Sequence, residues 1–134
     1  MRPEPEAARS DVVAVPVDAW RTILELGRLA PTPHNTQWYR LHVVDGRTAH
    51  VCIDESIAIP FTDPHDQFRY VGLGVFTRHL EMAACAAGFE LHTTFDDLGA
   101  PGPVLVRVVG RRPVDEGLSV LLITRRRGHR YAPR

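Results

Sequence analysis

Apolar and polar residues recur with two different spacings along the chain, and these spacings predict the order of its secondary structure elements. Trp20 and Ile23 follow the spacing of an amphipathic helix that packs on a core. Pro31 and Pro33 come next, and prolines at these positions are expected to stop a helix. The first predicted element is therefore a helix over residues 18–29.

A strand pattern replaces the helical one after these prolines. Residues 39–44 and 48–53 are rich in β-branched and aromatic side chains, as is typical of strands. Asp45-Gly46 lies between them and is a strong signal for a hairpin turn. We therefore expect a β-hairpin, followed by a polar loop over residues 55–66.

The longest helical pattern spans residues 68–87. It ends at Gly88, a residue type that suits the left-handed conformation at a helix C-terminus. One stripe of this pattern consists of Leu73, Phe76, Leu80, Ala83, Ala84 and Ala87. Val75, Met82 and Ala86 widen the stripe, which is typical of a central helix covered on several sides.

Two further strand patterns, at residues 90–95 and 104–109, precede a final helical pattern at residues 115–126. Helices and strands are interleaved, but the hairpin argues against a purely parallel sheet. The fold class expected is α+β, with a mixed or mainly antiparallel sheet packed with helices around the central helix. We expect residues 1–12 to be a flexible lead-in and residues 13–134 to be a single domain.

Composition narrows the possible functions. The 134 residues carry a formal net charge of zero, so no overall field favours a nucleic acid or a membrane surface. All 16 basic residues are arginine, which excludes mechanisms that need a Schiff-base or P-loop lysine. Cys52 and Cys85 give no disulfide framework, so we expect a reducing cytoplasm. No apolar run approaches the roughly 20 residues that span a bilayer.

Several common catalytic arrangements are missing from the sequence. The seven histidines form no HExxH motif, and we predict no metal site. One polar loop contains Asp63, His65 and Asp66. That these side chains are simply solvated is a better explanation of the cluster than a cation site. No serine lies in a nucleophile elbow, and Gly72-Leu73-Gly74 lacks the third glycine of a dinucleotide-binding turn.

Two polar stretches remain as candidates. Between the first helix and the hairpin, the amides of Asn35 and Gln37 could satisfy turn backbone groups or could bind a planar heterocycle. Near the end of the chain, four arginines crowd together, at positions Arg125, Arg126, Arg127 and Arg130. They fit a solvated helix end, a phosphate site or a nucleic-acid patch, although few aromatic residues accompany them.

Taken together, these stretches resemble the nitroreductase family, in which a helix ends in A-P-S-x-x-N-x-Q-P-W before a strand. The segment LGRLAPTPHNTQWYRLHVV matches at Ala30, Pro31, Asn35 and Gln37, has Thr32 for the serine, and has Trp38 and Tyr39 for the proline and tryptophan. The segment RYVGLGVFTRHLEMAACAAGFE is similar to the central helix of the family, and ITRRRGHRYAP to its R-R-x-x-R segment. Their order is closest to the first repeat of long, two-repeat members.

The resemblance implies an FMN cofactor, held at the interface of two subunits or two repeats. It implies that the flavin takes electrons from NAD(P)H and passes them to a nitroaromatic, a quinone or a similar acceptor. Thr32 and Asn35 would approach the flavin with Gln37 in support. The flavin phosphate and the edge of the flavin ring would be bound by Arg126, Arg127 and Arg130. No catalytic side chain is implied, because the cofactor performs the chemistry.

The chain ends where a second repeat of such a protein would begin. A homodimer is therefore expected to complete the site, and a truncated half-unit or a fragment of a longer reading frame is also consistent with the sequence. A flavin-binding or partner-binding protein without turnover is the alternative to an enzyme.

Overall fold

The computed structural model describes residues 15–32, 35–95 and 104–125. Within these ranges the chain forms three helices and four strands, which confirms the α+β class. In chain order they are α1 (Val17–Gly27), β1 (Tyr39–Val43), β2 (Thr48–Ile53), α2 (Gln67–Ala87), β3 (Phe89–Thr94), β4 (Val104–Arg111) and α3 (Glu116–Arg125). Each predicted element is present, with ends that differ from the prediction by at most two residues. The predicted lead-in lies outside the described residues.

The four described strands form one sheet in the order β1-β2-β4-β3, and every neighbouring pair is antiparallel. The mixed sheet that the sequence also allowed is therefore not formed by these strands. The predicted turn between β1 and β2 is confirmed, and the Asp45 carboxylate stabilises it by accepting the backbone N–H groups of Arg47 and Thr48 at 2.7 and 2.8 Å. The bond from Arg47 also holds the pKa of Asp45 below its usual value.

The two faces of the sheet differ because side chains alternate along each strand. The inner face packs in the core and includes Ala49, Val51, Leu91, Val104, Val106 and Val108. The outer face carries the residues between them, among which are Arg40, His42, His50, His92 and Arg107. The inner face therefore supplies one wall of the core and the helices supply the other.

Helix α2 occupies the centre of the molecule, as its wide apolar stripe predicts. It contacts α1, α3 and β3, and Phe76, Leu80 and Ala83 are buried in the core. At its end Gly88 has φ 91°, which confirms the predicted left-handed C-terminus. Helix α2 therefore packs against both other described helices and against the sheet.

Helix α1 ends two residues earlier than predicted, and the prolines are not what ends it. Its last residue is Gly27, and the backbone N–H of Ala30 then bonds to the Gly27 carbonyl at 3.0 Å in a tight turn. The chain has thus left the helix before it reaches Pro31. This turn delivers Thr32 to the start of the segment that leads into β1.

Candidate functional site

In the segment between α1 and β1, the described residues on the two sides of positions 33–34 are joined by hydrogen bonds into a polar loop. The backbone N–H of Gln37 donates to the Thr32 hydroxyl oxygen at 3.1 Å, and the Asn35 N–H donates to the Thr32 carbonyl at 3.0 Å. The Gln37 side-chain amide donates to Asn35 Oδ1 at 3.1 Å. Three of the six residues predicted to bind a cofactor therefore lie together and orient one another.

The backbone of this loop adopts a left-handed conformation at two of the three positions. Asn35 has φ 54° and Gln37 has φ 48°, in the left-handed region. Asparagine tolerates this region, whereas for glutamine it costs roughly 1–2 kcal/mol. Such strain persists only where the surrounding structure imposes it, and it concentrates at functional sites. The loop therefore has the backbone features of a binding segment.

A cavity of about 510 Å³ lies beside the loop, within the usual size range of small-molecule sites. The loop, α2 and α3 all contribute to its lining, which comprises Leu29, Ala30, Pro31, Thr32, Asn35, Val75, His79, Met82, Leu121 and Leu122. Seven of these ten residues are apolar, and the polar ones are Thr32, Asn35 and His79. We call this the main cavity.

A smaller cavity of about 280 Å³ shares Ala30 and Thr32 with the main cavity. Gln37 lines this smaller cavity, whereas Asn35 lines the main one. The smaller cavity also has two arginines on its lining, and each is paired: Arg28 with Glu25 at 3.3 Å, and Arg40 with Asp54 at 3.0 Å. Thr32 therefore lies in the wall between the main cavity, which is mostly apolar, and the smaller cavity, which carries charged residues.

His79 is a lining residue that the sequence analysis did not select. Its Nδ1 lies 3.1 Å from the Val75 carbonyl oxygen. A carbonyl oxygen only accepts, so Nδ1 carries the proton, and Nε2 on the opposite edge of the ring can accept from a ligand. Among the described residues that line the main cavity, His79 is the only one with a titratable side chain. Its spacing from Val75 and Met82, four and three residues, is the signal that could have identified it.

Trp38 and Tyr39, which differ from the family motif, form the floor beneath the loop. Trp38 is fully buried, and Tyr39 stacks on Phe76 with ring centroids 5.0 Å apart. The Tyr39 hydroxyl donates to the Arg69 carbonyl at 2.9 Å. Burial raises the pKa of Tyr39 to about 12 because the phenolate would be poorly solvated there. These aromatic groups are core residues that support the loop from below.

Arg69 is a second residue that the sequence analysis missed. Arg69 is only 6% exposed. Its guanidinium donates hydrogen bonds to Glu55 Oε2 and to the Ile57 carbonyl, both at 2.9 Å. It also lies 5.8 Å from the centre of the Trp38 ring. Arg69 thus joins the polar loop before α2 to the aromatic floor of the site.

Asp63 differs from the expectation that the side chains of this loop are solvated. It is 6% exposed, and its carboxylate accepts the backbone N–H of Arg69 at 3.1 Å. His65 and Asp66 are less buried, and Asp66 lies 3.5 Å from the Arg69 guanidinium. Asp63 is therefore an internal support of the loop rather than a solvated group.

The other three predicted cofactor residues, Arg126, Arg127 and Arg130, lie outside the described residues. Helix α3 immediately precedes them, and its residues Leu121 and Leu122 line the main cavity. The chain matches no protein-family model and no curated protein. None of the helices in the described ranges is long and apolar enough to cross a membrane.

Proposed function

We propose that the chain has a nitroreductase-like fold and is an FMN-dependent oxidoreductase that passes electrons from NAD(P)H to a nitroaromatic, a quinone or a similar acceptor. One observation carries the proposal. The loop with Thr32 and Asn35, the central helix α2, and α3 just before the arginine segment all line the main cavity. The first two are places at which the sequence resembles the nitroreductase family, and Leu121 and Leu122 of α3 come directly before the third. All three lie far apart in the chain.

The lining residues fit a flavin. Apolar side chains such as Val75, Met82 and Leu121 suit the faces of a planar ring, and Thr32 and Asn35 suit its polar edge. The Thr32 oxygen accepts from the Gln37 backbone, so its O–H can donate to a ligand. The bond from Gln37 to Asn35 Oδ1 fixes the orientation of the Asn35 amide.

Flavin supplies the electron-transfer chemistry when bound, and the chain orients it and adjusts its electrostatics. Polar groups beside an apolar ring site have a strong effect because water is excluded there. The resemblance assigns Arg126, Arg127 and Arg130 to the phosphate and ring edge. Arginine suits this role because its guanidinium binds phosphate through two parallel hydrogen bonds.

A second subunit is part of the proposal. Leu121 lines the main cavity and is 54% exposed, and its neighbours Val120 and Ile123 are also exposed. An apolar surface beside a binding cavity is typical of an interaction site. A homodimer that covers this face of α3 would close the main cavity against solvent.

Titration of the purified protein with FMN tests the proposal. We expect saturable binding with a shifted flavin absorbance spectrum, and steady NAD(P)H oxidation by the loaded protein. Asn35→Gly keeps the left-handed backbone available and removes the amide, so it should weaken FMN binding while the circular dichroism spectrum is unchanged.

Asp66→Gly is the matched control. Asp66 also has a positive φ, of 57°, but it lines neither cavity beside the loop. Its replacement should leave FMN affinity unchanged. No FMN binding by the folded wild-type protein would contradict the proposed function. FMN binding without NAD(P)H oxidation would favour the alternative of a flavin-binding protein without turnover, for which the exposed apolar face of α3 is a partner surface.

A further inference from the structure

The outer face of the sheet carries two histidines side by side. His42 on β1 lies directly opposite His50 on β2. Both belong to the outer face, because the alternating neighbours Ala49 and Val51 are buried in the core. His42 is exposed and His50 is half-buried, so a small solute can reach both imidazoles.

The register places the two rings at a separation that one ion can bridge. The Val44 N–H donates to the Thr48 carbonyl at 2.8 Å, and hydrogen-bonded pairs recur every second residue, so His42 and His50 form such a pair. Directly opposite residues have Cβ atoms about 4.5–5.5 Å apart. Two zinc–nitrogen bonds of about 2.0–2.1 Å at a tetrahedral angle place the nitrogens about 3.3 Å apart, which side-chain rotation from this spacing can reach.

The pair is also held on a rigid support. The Asp45 carboxylate fixes the turn that joins β1 to β2, and β2 pairs on its other side with β4, where His50 faces Leu105. Sites on strands keep their geometry better than sites on loops. Little backbone freedom is therefore lost when both imidazoles bind one ion.

We propose that His42 and His50 bind a divalent late first-row metal ion, such as Zn²⁺, Ni²⁺ or Cu²⁺. Neutral imidazole suits these ions. In the described part of the chain no group of three or more His, Cys, Asp or Glu residues could hold a metal ion. The pair therefore supplies two ligands and water supplies the rest, and the bound ion ties the edge strand β1 to β2.

Nearby charges set a limit on the affinity. Arg107 lies opposite Thr48, one pair further along the same face, and its positive charge opposes a cation. Arg40 lies two residues from His42, but its charge is compensated by Asp54 at 3.0 Å. The site depends on neither cavity nor on FMN, so its test is independent of the proposed function.

Nuclear magnetic resonance with Ni²⁺ tests the proposal on the full chain. Ni²⁺ is paramagnetic, so amounts below the protein concentration should broaden the imidazole signals of His42 and His50 first. His92 is the internal reference, because it lies on the same outer face but opposite Arg107 rather than a second histidine. Equal broadening of all three signals would overturn the proposal.

Calorimetric titration of variants with Zn²⁺ gives a second measurement. Loss of a residue that only hydrogen-bonds to a metal ligand costs about 10- to 100-fold in metal affinity. Loss of a ligand itself, in His42→Ala or His50→Ala, should therefore weaken binding by at least about tenfold. His92→Ala is the matched control and should bind as the wild type does. Affinity unchanged in His42→Ala, or reduced equally in His92→Ala, would refute the assignment.

Discussion

At the scale of single residues, the loop with Thr32, Asn35 and Gln37 depends on side chains that lie beneath it. Tyr39 stacks on Phe76, and its hydroxyl bonds to the backbone of α2. These contacts fix where β1 begins and therefore where the loop ends. The positive φ angles of Asn35 and Gln37 can persist because both ends of the loop are held.

Gly72 provides the space for the Tyr39 hydroxyl. A Cβ at position 72 would overlap that oxygen, whereas a Cβ at Gly74 would meet no atom within 4 Å. Gly72→Ala should therefore destabilise the protein by about 1–3 kcal/mol through overpacking. Gly74→Ala, two residues along the same helix, should stabilise it by up to about 1 kcal/mol through helix propensity. Urea unfolding of both variants measures the difference, and equal effects would contradict the contact.

Tyr39 also predicts how stability depends on alkaline pH. Below pH 10.0, its ordinary pKa, the phenol is neutral in both the folded and the unfolded chain. Between pH 10 and about 12 the unfolded chain loses this proton while the folded chain keeps it, so the free energy of unfolding should fall by about 1.4 kcal/mol per pH unit. Without lysine, few other groups titrate in this range.

Urea unfolding between pH 8 and 11 measures this slope. Tyr39→Phe should remove it and should also cost about 1 kcal/mol at neutral pH, because the bond to the Arg69 carbonyl is lost. Tyr70→Phe is the control, since Tyr70 is 46% exposed, and should keep the wild-type slope. A slope that survives in Tyr39→Phe would show that another group causes it.

At the scale of elements, α2 connects the parts of the site. It contributes Val75, His79 and Met82 to the main cavity, and Phe76 to the aromatic floor. Near its start, Arg69 reaches out to the loop that follows β2. A shift of this helix would therefore move the cavity wall and the loop together.

Loss of the Arg69 contacts should release the loop before α2. Arg69→Met removes the bonds to Glu55 and Ile57, and we expect a loss of about 1–3 kcal/mol of stability. Phe61 in this loop is fully exposed, so cleavage after it by chymotrypsin should accelerate when the loop opens. Arg78→Met is the control, because Arg78 is exposed and its surface ion pair with Glu81 contributes less than about 1 kcal/mol. Equal cleavage rates in both variants would contradict the role of Arg69.

At the scale of the whole molecule, the described part of α3 carries an exposed apolar face formed by Val120, Leu121 and Ile123. If a second copy binds there, the wild type should sediment as a dimer at micromolar concentration. Ile123→Glu places a charge on this face, and Ile123 is 43% exposed and lines neither cavity beside the loop. This variant should sediment as a folded monomer, because an unpaired charge in an interface is costly.

Val17→Glu is the matched control for this experiment. Val17 is 72% exposed at the start of α1 and lines neither cavity beside the loop. Its replacement should leave the dimer intact. A folded wild-type monomer at micromolar concentration would remove the second subunit from the proposed function.

The sequence by itself determined the order of elements, the hairpin and the end of α2. Each depends on local chemistry: the period of apolar residues, the Asp45-Gly46 turn, and a glycine at position 88 with φ 91°. Motif matching also selected Thr32, Asn35 and Gln37, which the fold brings together. Whether they bind FMN stays a prediction.

Only the tertiary structure decided which distant residues share a cavity. His79 and Leu121 come from different helices, and Arg69 bonds to residues 12 and 14 positions earlier in the chain. No periodicity encodes such contacts, because they arise from how the helices pack on the sheet and on one another. The alternating pattern of β1 and β2 also did not reveal that His42 faces His50, because alternation fixes the face of a side chain, whereas strand register is set by the turn and by the buried face.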